Sequence, residues 1–235
     1  MKKDVIIALD FPSARETLAF LDLFPPEERK GLFVKIGMEL FYAEGPQIVR
    51  EIKARGHNVF LDLKLHDIPN TVKRAMATLS GLGADIVNLH AGGGSAMMKA
   101  ALEGLARPDG TRPLLIGVTQ LTSTSPEMLR DELLISAPMA ETVMGYAENA
   151  ARCGLDGVVC SPHEAAAVKV RCGTDFLTVT PGVRFEGGDL GDQKRVMTPA
   201  AARAAGCDLI VMGRPITRAA DPVAAYRQAK RDFLG

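Results

Sequence analysis

Hydrophobic residues along this chain gather into eight short apolar runs, and a longer amphipathic stretch follows each of them. The first five runs begin about 27 residues apart, a spacing typical of one strand followed by one helix. The predicted strands are Val5–Leu9, Phe33–Gly37, Val59–Leu65, Ile86–His90, Leu114–Thr119, Gly157–Cys160, Leu177–Thr180 and Leu209–Met212. The predicted helices are Ser13–Phe24, Gly45–Arg55, Asn70–Leu82, Gly94–Ala106, Pro138–Cys153, His163–Val170, Pro199–Ala205 and Asp221–Phe233.

The order of these elements predicts their arrangement in space. Strands that are apolar on both faces and separated by helices indicate a parallel sheet covered by helices. Eight such units favour a single-domain (β/α)8 TIM barrel over residues 1–235. An open doubly wound sheet would usually carry a glycine-rich loop after its first strand, where Asp10-Phe11-Pro12 stands instead. The long connections 121–137 and 182–197 are candidate lids.

Local signals support the helix ends. Ser13 is a candidate N-cap with Glu16 three residues later, the spacing of a capping box. Gly56 and Gly206 follow predicted helices and are typical stop residues.

Composition and charge exclude several classes of partner. The 28 basic and 28 acidic residues balance, which argues against a nucleic-acid surface and against a basic membrane face. The apolar run near the N-terminus ends at Asp10 and is too short for a signal peptide or a membrane span. The four cysteines form no CxxC pair, so we expect reduced thiols in a cytoplasmic protein, with no metal bound.

Charged residues occupy strand positions where a barrel interior is normally apolar. Alternation along the third strand places Leu61, Leu63 and Leu65 towards the helices and turns Asp62 and Lys64 inward. Lys35 lies in the second strand between two apolar residues, and Asp10 ends the first strand. Such charges, at the C-terminal ends of barrel strands, indicate either a structural ion network or a catalytic site, and the number of them favours catalysis.

The segment from Asp62 to Thr71 reads Asp-Leu-Lys-Leu-His-Asp-Ile-Pro-Asn-Thr and resembles the DxKxxDIPNT motif of the orotidine 5′-monophosphate decarboxylase family, in its short bacterial form. Further resemblances follow in the family's order along the whole chain. They are Ala8-Leu9-Asp10, Val34-Lys35-Ile36-Gly37, Val118-Thr119-Gln120-Leu121-Thr122-Ser123, Thr180-Pro181-Gly182-Val183-Arg184, Asp192-Gln193-Lys194-Arg195 and Val211-Met212-Gly213-Arg214.

The resemblance implies an activity and a role for each matching residue. It implies decarboxylation of orotidine 5′-monophosphate (OMP) to UMP and carbon dioxide without a cofactor, with Asp62 beside the substrate carboxylate and Lys64 as the proton donor. Lys35 and Asp10 would hold the ribose, with Lys35 also in the catalytic charge set, and Thr122 and Ser123 would contact the pyrimidine. Gly213, Arg214 and Gln193 would grip the phosphate, and Arg184 would help to close the loop over it.

The resemblance also implies a homodimer, in which Asp67 and Thr71 reach into the partner's active site. Two rival functions stay open. One is a sugar-phosphate lyase or decarboxylase on the same barrel that works through a magnesium-bound enediolate, although Lys35 stands where such enzymes carry a metal-binding glutamate. The other is a non-catalytic barrel that binds nucleotide phosphate and has no use for Lys64.

The remaining polar residues near strand ends have less specific interpretations. We expect His57 to face solvent at the bottom of the barrel and His66 to be a structural hydrogen-bonding group. His90 is expected to have a packing or dimer role, and Asn88 an interface role or one in support of the site.

Overall fold

The protein is a closed barrel of eight parallel strands, in which each strand pairs with its neighbours in chain order and β1 pairs with β8. The computed structural model describes residues 3–187 and 196–235. The strands are β1 (Asp4–Ala8), β2 (Phe33–Gly37), β3 (Asn58–Leu65), β4 (Ile86–His90), β5 (Leu114–Val118), β6 (Gly157–Val159), β7 (Leu177–Thr180) and β8 (Leu209–Met212). Each predicted strand is present with its ends shifted by at most one residue, and the predicted (β/α)8 barrel is confirmed.

Helices surround the barrel and connect its strands. The α-helices in the described residues are α1 (Ala14–Leu21), α2 (Pro26–Arg29), α3 (Met38–Glu44), α4 (Pro46–Ala54), α5 (Pro69–Ser80), α6 (Gly94–Leu105), α7 (Met139–Cys153), α8 (Ala165–Cys172), α9 (Pro199–Ala204), α10 (Arg214–Thr217) and α11 (Pro222–Leu234). Short helical turns of other types are Ala91–Gly93, Met128–Glu132 and Pro162–Glu164. The Ser13 hydroxyl caps α1 by accepting from the backbone N–H of Glu16, as predicted. None of the helices in these ranges is long and apolar enough to pass through a bilayer.

Three short helices and one helix start depart from the prediction. The helices α2, α3 and α10 were not expected, because segments of four to seven residues carry too few turns for a recognisable period. The helix predicted from His163 begins instead with a 3-10 turn, Pro162–Glu164, before α8. There Ser161 and Glu164 form a complete capping box, in which the Ser161 N–H donates to Glu164 Oε2 at 2.8 Å.

Two apolar layers hold the barrel. The inner layer fills its interior and consists of Ile6, Ala8, Phe33, Phe60, Ile86, Ile116, Val179, Leu209 and Val211. The outer layer packs strands against helices and includes Leu61, with Leu63 and Leu65 against it, as alternation predicted. All four cysteines are free thiols.

The expectation that His57 faces solvent is wrong. The turn at Gly56 (φ 86°) leads directly into β3, and His57 is only 1% exposed. Neither nitrogen of its imidazole ring has a hydrogen-bond partner among the described residues. Burial, with Arg55 and Arg29 nearby, lowers the pKa of His57 below its usual value.

Candidate active site

Four charged side chains of alternating sign form a chain across the C-terminal rim of the barrel. Lys35 Nζ lies 2.9 Å from Asp10 Oδ1 and 3.5 Å from Asp62 Oδ2. Lys64 Nζ lies 2.7 Å from Asp62 Oδ1. The order along the rim is therefore Asp10, Lys35, Asp62 and Lys64, and the four formal charges cancel.

The pleat of β2 and β3 explains why the middle two groups point inward. Phe33 and Phe60 belong to the inner layer, and the residues two positions later are Lys35 and Asp62. Side chains two apart on a strand share a face, so both charged groups continue the inner layer at its upper end. Gly37 leaves room for them, because a Cβ there would lie 3.0 Å from Lys35 Nζ.

Lys64 reaches this rim through an irregularity rather than through continued alternation. Its φ of 52° is in the left-handed region, which residues other than glycine rarely adopt. The pairing of β3 with β4 shifts there, since Leu61 pairs with Val87 but Leu65 pairs with Leu89. Two extra residues of β3 therefore bulge out of the ladder, and Lys64 still lines the same cavity as Asp62, as predicted.

Asn88 of β4 fills the opening left by the bulge. Its Oδ1 accepts from the backbone N–H of Lys64 at 2.8 Å, and its Nδ2 donates to Asp62 Oδ1 at 2.7 Å. Asn88 is 1% exposed. Of the two roles that the sequence allows for Asn88, at an interface or in support of the site, the structure favours the second, since Asn88 contacts the first two charged residues of the motif.

The electrostatic environment keeps the central carboxylate ionised. Burial alone would raise the pKa of Asp62, but Lys35 and Lys64 beside it outweigh burial and lower that pKa below its ordinary value. Burial would likewise lower the pKa of Lys35, and Asp62 and Asp10 reverse this and raise it. Lys35 and Asp62, the two middle groups along the rim, are therefore both charged at neutral pH.

Two adjoining cavities open at this rim and share Lys35, Pro181 and Val211 in their walls. The first, of about 210 Å³, is lined by Asp62, Lys64, Thr122 and Ser123 together with apolar residues such as Phe60, Val118 and Val159. The second is lined by Asp10, Gly182, Arg184, Gly213 and Arg214. The two cavities together therefore present a charged and apolar pocket next to a more polar one.

Arg184 lies at the base of the connection that follows β7. Its side chain is buried and donates to the Val183 carbonyl at 2.9 Å. Its backbone N–H donates to Met197 O, and the Met197 N–H donates to Gly182 O, so backbone hydrogen bonds join the two ends of this connection.

The structure thus brings nine of the predicted site residues to the two cavities: Asp10, Lys35, Asp62, Lys64, Thr122, Ser123, Arg184, Gly213 and Arg214. Gln193, and the central part of the predicted lid 182–197, lie outside the described residues. Asp67 and Thr71 line neither cavity. Both are exposed, and the Asp67 carboxylate accepts from the N–H of its neighbour Ile68 at 2.6 Å.

The two histidines at the rim lie next to each other. His66 follows the end of β3 and is exposed, and its ring centroid lies 5.7 Å from that of His90. No hydrogen bond of the His66 ring is found in the part of the chain that is described, so its expected hydrogen-bonding role is not seen there. Cys160 and Pro181 also line the cavities and are not among the site residues predicted from the sequence. The available signal was their position at strand ends, since Cys160 is the last residue of the sixth predicted strand and Pro181 directly follows the seventh.

Comparison with known proteins gives one consistent family. Residues 3–229 match the family described as "Orotidine 5'-phosphate decarboxylase / HUMPS family". A Streptococcus mutans protein named orotidine 5′-phosphate decarboxylase is 59% identical over 230 residues, which are 98% of this chain and 97% of that protein. A Streptococcus equi subsp. zooepidemicus protein of the same name is 58% identical over 228 residues, 97% of this chain and 96% of that one.

Solved structures agree in fold over the full length. Orotidine 5′-phosphate decarboxylase from Lactobacillus acidophilus is 41% identical with a TM-score of 0.88, and the match covers 99% of this chain and 100% of that one. An uncharacterised conserved protein from Geobacillus kaustophilus is 52% identical with a TM-score of 0.86, over 98% and 100% of the two chains.

Proposed function

The chain belongs to the orotidine 5′-phosphate decarboxylase family, and we propose that it converts OMP to UMP and carbon dioxide, the last step of de novo pyrimidine nucleotide synthesis, as a single catalytic domain over residues 1–235. The observation that carries the proposal is the rim of alternating charges, in which Lys64 Nζ lies 2.7 Å from Asp62 Oδ1 in the wall of a cavity. A carboxylate and an ammonium group held this close suit the loss of one carboxylate and its replacement by a proton.

The chemistry of OMP gives Lys64 its role. When the bond between carbon 6 and the carboxylate breaks, the electron pair stays on carbon 6 in the plane of the ring, where the pyrimidine π-system cannot delocalise it. A fixed cation beside that carbon stabilises the developing charge. The Lys64 ammonium then transfers a proton to carbon 6, which gives UMP, and the neutral amine regains a proton from solvent.

Asp62 acts on the substrate carboxylate before it leaves. Two like charges about 4 Å apart repel by about 4 kcal/mol at an effective dielectric constant of about 20. The repulsion falls as charge moves from the carboxylate to carbon 6, so Asp62 disfavours the bound substrate more than the transition state. Enzymes lower barriers by roughly 8–23 kcal/mol, so this repulsion can supply only part of the effect.

Binding energy away from the reacting carbon supplies the remainder. Arg214 and the Gly213 backbone, at the barrel's usual phosphate position after β8, would hold the phosphate, with Gln193 from the preceding connection. Arg184 would help to close that connection over the phosphate. Interactions with this remote group hold the pyrimidine in register with Lys64.

The ribose and the base fit the remaining wall residues. Lys35 lies in the walls of both cavities and contacts Asp10 in the second, and these two residues would bind the ribose hydroxyls. Thr122 and Ser123 line the cavity that contains Lys64 and would contact the edge of the pyrimidine.

The proposed assembly is a homodimer with shared active sites. Asp67 and Thr71 are exposed at the start of α5 and line neither cavity of their own chain, so a role in the partner's site is consistent with their position. Ile68 between them is 66% exposed, an apolar surface that a second copy would cover.

Complementation tests this sharing. Lys64→Ala and Asp67→Asn are each expected to be inactive, because each homodimer lacks one group in both sites. Coexpression in equal amounts gives mixed dimers with one intact site, so about a quarter of the wild-type activity should return. Coexpressed variants that form mixed dimers and stay inactive would show that Asp67 serves its own chain.

A magnesium-dependent lyase is the nearest rival. The residues present do not suit its metal, because the Lys35 ammonium lies between Asp10 and Asp62 and would repel a divalent cation there. The proposal therefore expects turnover of OMP to be the same with and without EDTA. Loss of turnover in EDTA, restored by magnesium, would favour the rival.

The central experiment mixes the purified protein with OMP and follows the loss of its ultraviolet absorbance. Lys64→Ala should bind UMP with wild-type affinity but lose turnover by a factor of at least about 10⁴, because both the cation and the proton donor are removed. Lys30→Ala changes an exposed lysine at the other end of the barrel and should leave the rate unchanged. Near-normal turnover in Lys64→Ala, or no turnover in the wild type, would contradict the proposed function.

A further inference from the structure

The bulge in β3 leaves a gap in the barrel wall that the backbone does not close. Between the pairs Leu61–Val87 and Leu65–Leu89, β3 has three intervening residues and β4 has one, Asn88. The Lys64 N–H has no backbone carbonyl opposite it in the ladder and donates to the Asn88 side chain instead, at 2.8 Å. A single side chain therefore takes over the hydrogen bonding of this part of the ladder.

We propose that Asn88 is a positioning residue for the decarboxylation, which holds the Lys64 backbone and the Asp62 carboxylate in the one arrangement that brings the Lys64 ammonium to carbon 6. This inference rests on the proposed function and extends it to a residue that does not line the substrate cavity. Asn88 is 1% exposed and is not in the cavity wall.

The oxygen and the nitrogen of the Asn88 amide contact different residues. The Oδ1 acceptor fixes Lys64 in a left-handed backbone conformation, which is unfavourable for a residue with a side chain and needs surrounding structure to maintain it. The Nδ2 donor fixes Asp62 Oδ1, the same oxygen that Lys64 Nζ contacts at 2.7 Å. Asn88 thus sets both the origin of the Lys64 side chain and the position of the group to which its ammonium binds.

Asparagine is suited to this position because it combines a donor and an acceptor without a charge. An apolar residue such as leucine or alanine would remove both contacts, leaving the Lys64 N–H unsatisfied and Asp62 Oδ1 without its amide donor. Aspartate keeps the acceptor for that N–H but loses the donor, and at neutral pH it places a second carboxylate against Asp62. An apolar residue therefore removes both contacts, whereas aspartate removes only the contact with the Asp62 carboxylate.

The Asn88→Asp variant should acquire a dependence on pH that the wild type lacks. Two carboxylates that share a site titrate as a pair, and one of their pKa values is strongly raised. While the pair holds one proton, the new carboxyl can donate to Asp62 and replace the amide. As pH rises and this proton is lost, the carboxylates repel and Asp62 moves. The titratable and charged groups around this position are Asp10, Lys35, Asp62, Lys64, His66 and His90.

The experiment measures kcat and KM for OMP, from about pH 5.5 to 8.5, in the wild type, Asn88→Asp and Asn88→Ala. Asn88→Ala should lower kcat about 10²-fold, the usual effect of a misplaced catalytic group, with little change in UMP affinity. For Asn88→Asp, the ratio of its kcat/KM to that of the wild type should fall steadily as pH rises.

Thr178→Val is the matched control. Thr178 is also a fully buried polar residue on a barrel strand, and its hydroxyl bonds to Asp208 at the opposite end of the barrel from the site. It should lower the melting temperature and leave kcat unchanged at every pH. A structural role alone for Asn88 would give the same result as this control.

Either of two results would overturn the inference: wild-type kcat in Asn88→Ala, or a ratio for Asn88→Asp that is independent of pH. The wild-type rate alone tests the proposed function, so the two can fail separately. If the wild type does not act on OMP, a crystal structure of Asn88→Ala still tests the geometry. Lys64 in its left-handed conformation and 2.7 Å from Asp62 in that variant would show that Asn88 does not position it.

Discussion

Removal of the Lys35 ammonium tests how much its ion pairs at the barrel rim contribute to the stability of the protein. Lys35→Met keeps the length and apolar stem of the side chain and deletes only its cation. The side chains of Lys35 and Asp62 are 12% and 11% exposed, so water can do little to replace the lost partner. We therefore expect the variant to be inactive and also markedly less stable than the wild type at neutral pH.

The distances set the size of this effect. At 3.5 Å and an effective dielectric constant of about 20, the attraction between Lys35 and Asp62 is about 5 kcal/mol. Asp10 is 57% exposed, so its pair with Lys35 is screened and adds at most about 1 kcal/mol. Breaking one side of a buried pair costs about 3–5 kcal/mol in measured cases, and we expect a loss of that size in the free energy of unfolding.

The dependence on pH and a second substitution identify the cause. Lys35 and Lys64 lower the pKa of Asp62 in the wild type, so the stability that they contribute is present above the unfolded pKa of 3.8 and is lost as pH falls through the folded pKa. Without Lys35 the pKa of Asp62 rises, and the deficit of Lys35→Met should shrink towards acidic pH as Asp62 takes up a proton. Lys35→Met combined with Asp62→Asn should recover stability to within about 1 kcal/mol of the wild type and remain inactive.

The assay is urea unfolding at pH 7.5 and pH 5, at one fixed protein concentration because a dimer would make stability depend on it. Arg171→Met is the control, since Arg171 forms an exposed ion pair with Glu148 at 2.7 Å and should contribute no more than about 1 kcal/mol. A loss in Lys35→Met as small as in this control would refute the argument. So would a double variant that is no more stable than Lys35→Met.

Two further predictions concern stability away from the site. His57→Leu should reduce the fall in melting temperature between pH 7.5 and pH 5. Because burial lowers the pKa of His57, the unfolded chain takes up a proton there below a pH of about 6.5 while the folded chain does not, and this destabilises the folded wild type. An unchanged fall in the variant would contradict this. Gly104→Ala should destabilise the protein by at least about 2 kcal/mol in urea unfolding, because its Cβ would lie 2.1 Å from the Lys73 carbonyl oxygen and force α5 and α6 apart. Gly145→Ala in α7 meets no atom within 4 Å and should stabilise by about 0.5–1 kcal/mol, so equal effects of the two substitutions would refute the packing argument.

The barrel could be predicted from the sequence because the signals for its strands and helices are local and recur eight times. Each strand is a short apolar run and each long helix has an amphipathic period, so eight units in series indicate the closed sheet that is observed. His57 was misplaced because the local pattern after a helix stop resembles an exposed turn. Its burial depends on how the chain enters β3 beneath the barrel, which only the assembled fold determines.

The site was predictable in its residue types and not in its geometry. Inward alternation correctly indicated Lys35 and Asp62, because the pairing of β2 with β3 is regular up to Gly37 and Asp62. Alternation could not indicate that Lys64 has a φ of 52° or that the ladder shifts there. That conformation depends on Asn88, which lies 24 residues away along the chain. The pattern of residues within one strand cannot indicate a contact with a residue so far away in the sequence.

This long-range dependence bears on how a rim of charges can favour one reaction. Asp10, Lys35, Asp62 and Lys64 together carry no net charge, and the buried middle pair cannot reorient to follow a moving charge. In the proposed reaction the total charge of the site is constant while one negative charge moves from the carboxylate beside Asp62 to the carbon beside Lys64. A neutral set stabilises that movement only if its positive end is fixed at the destination, since a mobile ammonium would stabilise both ends equally. Lys64 is the more exposed member of its pair, with a side chain 25% accessible, so packing alone does not fix it. The rigidity must come from its backbone and its carboxylate partner, and Asn88 contacts both.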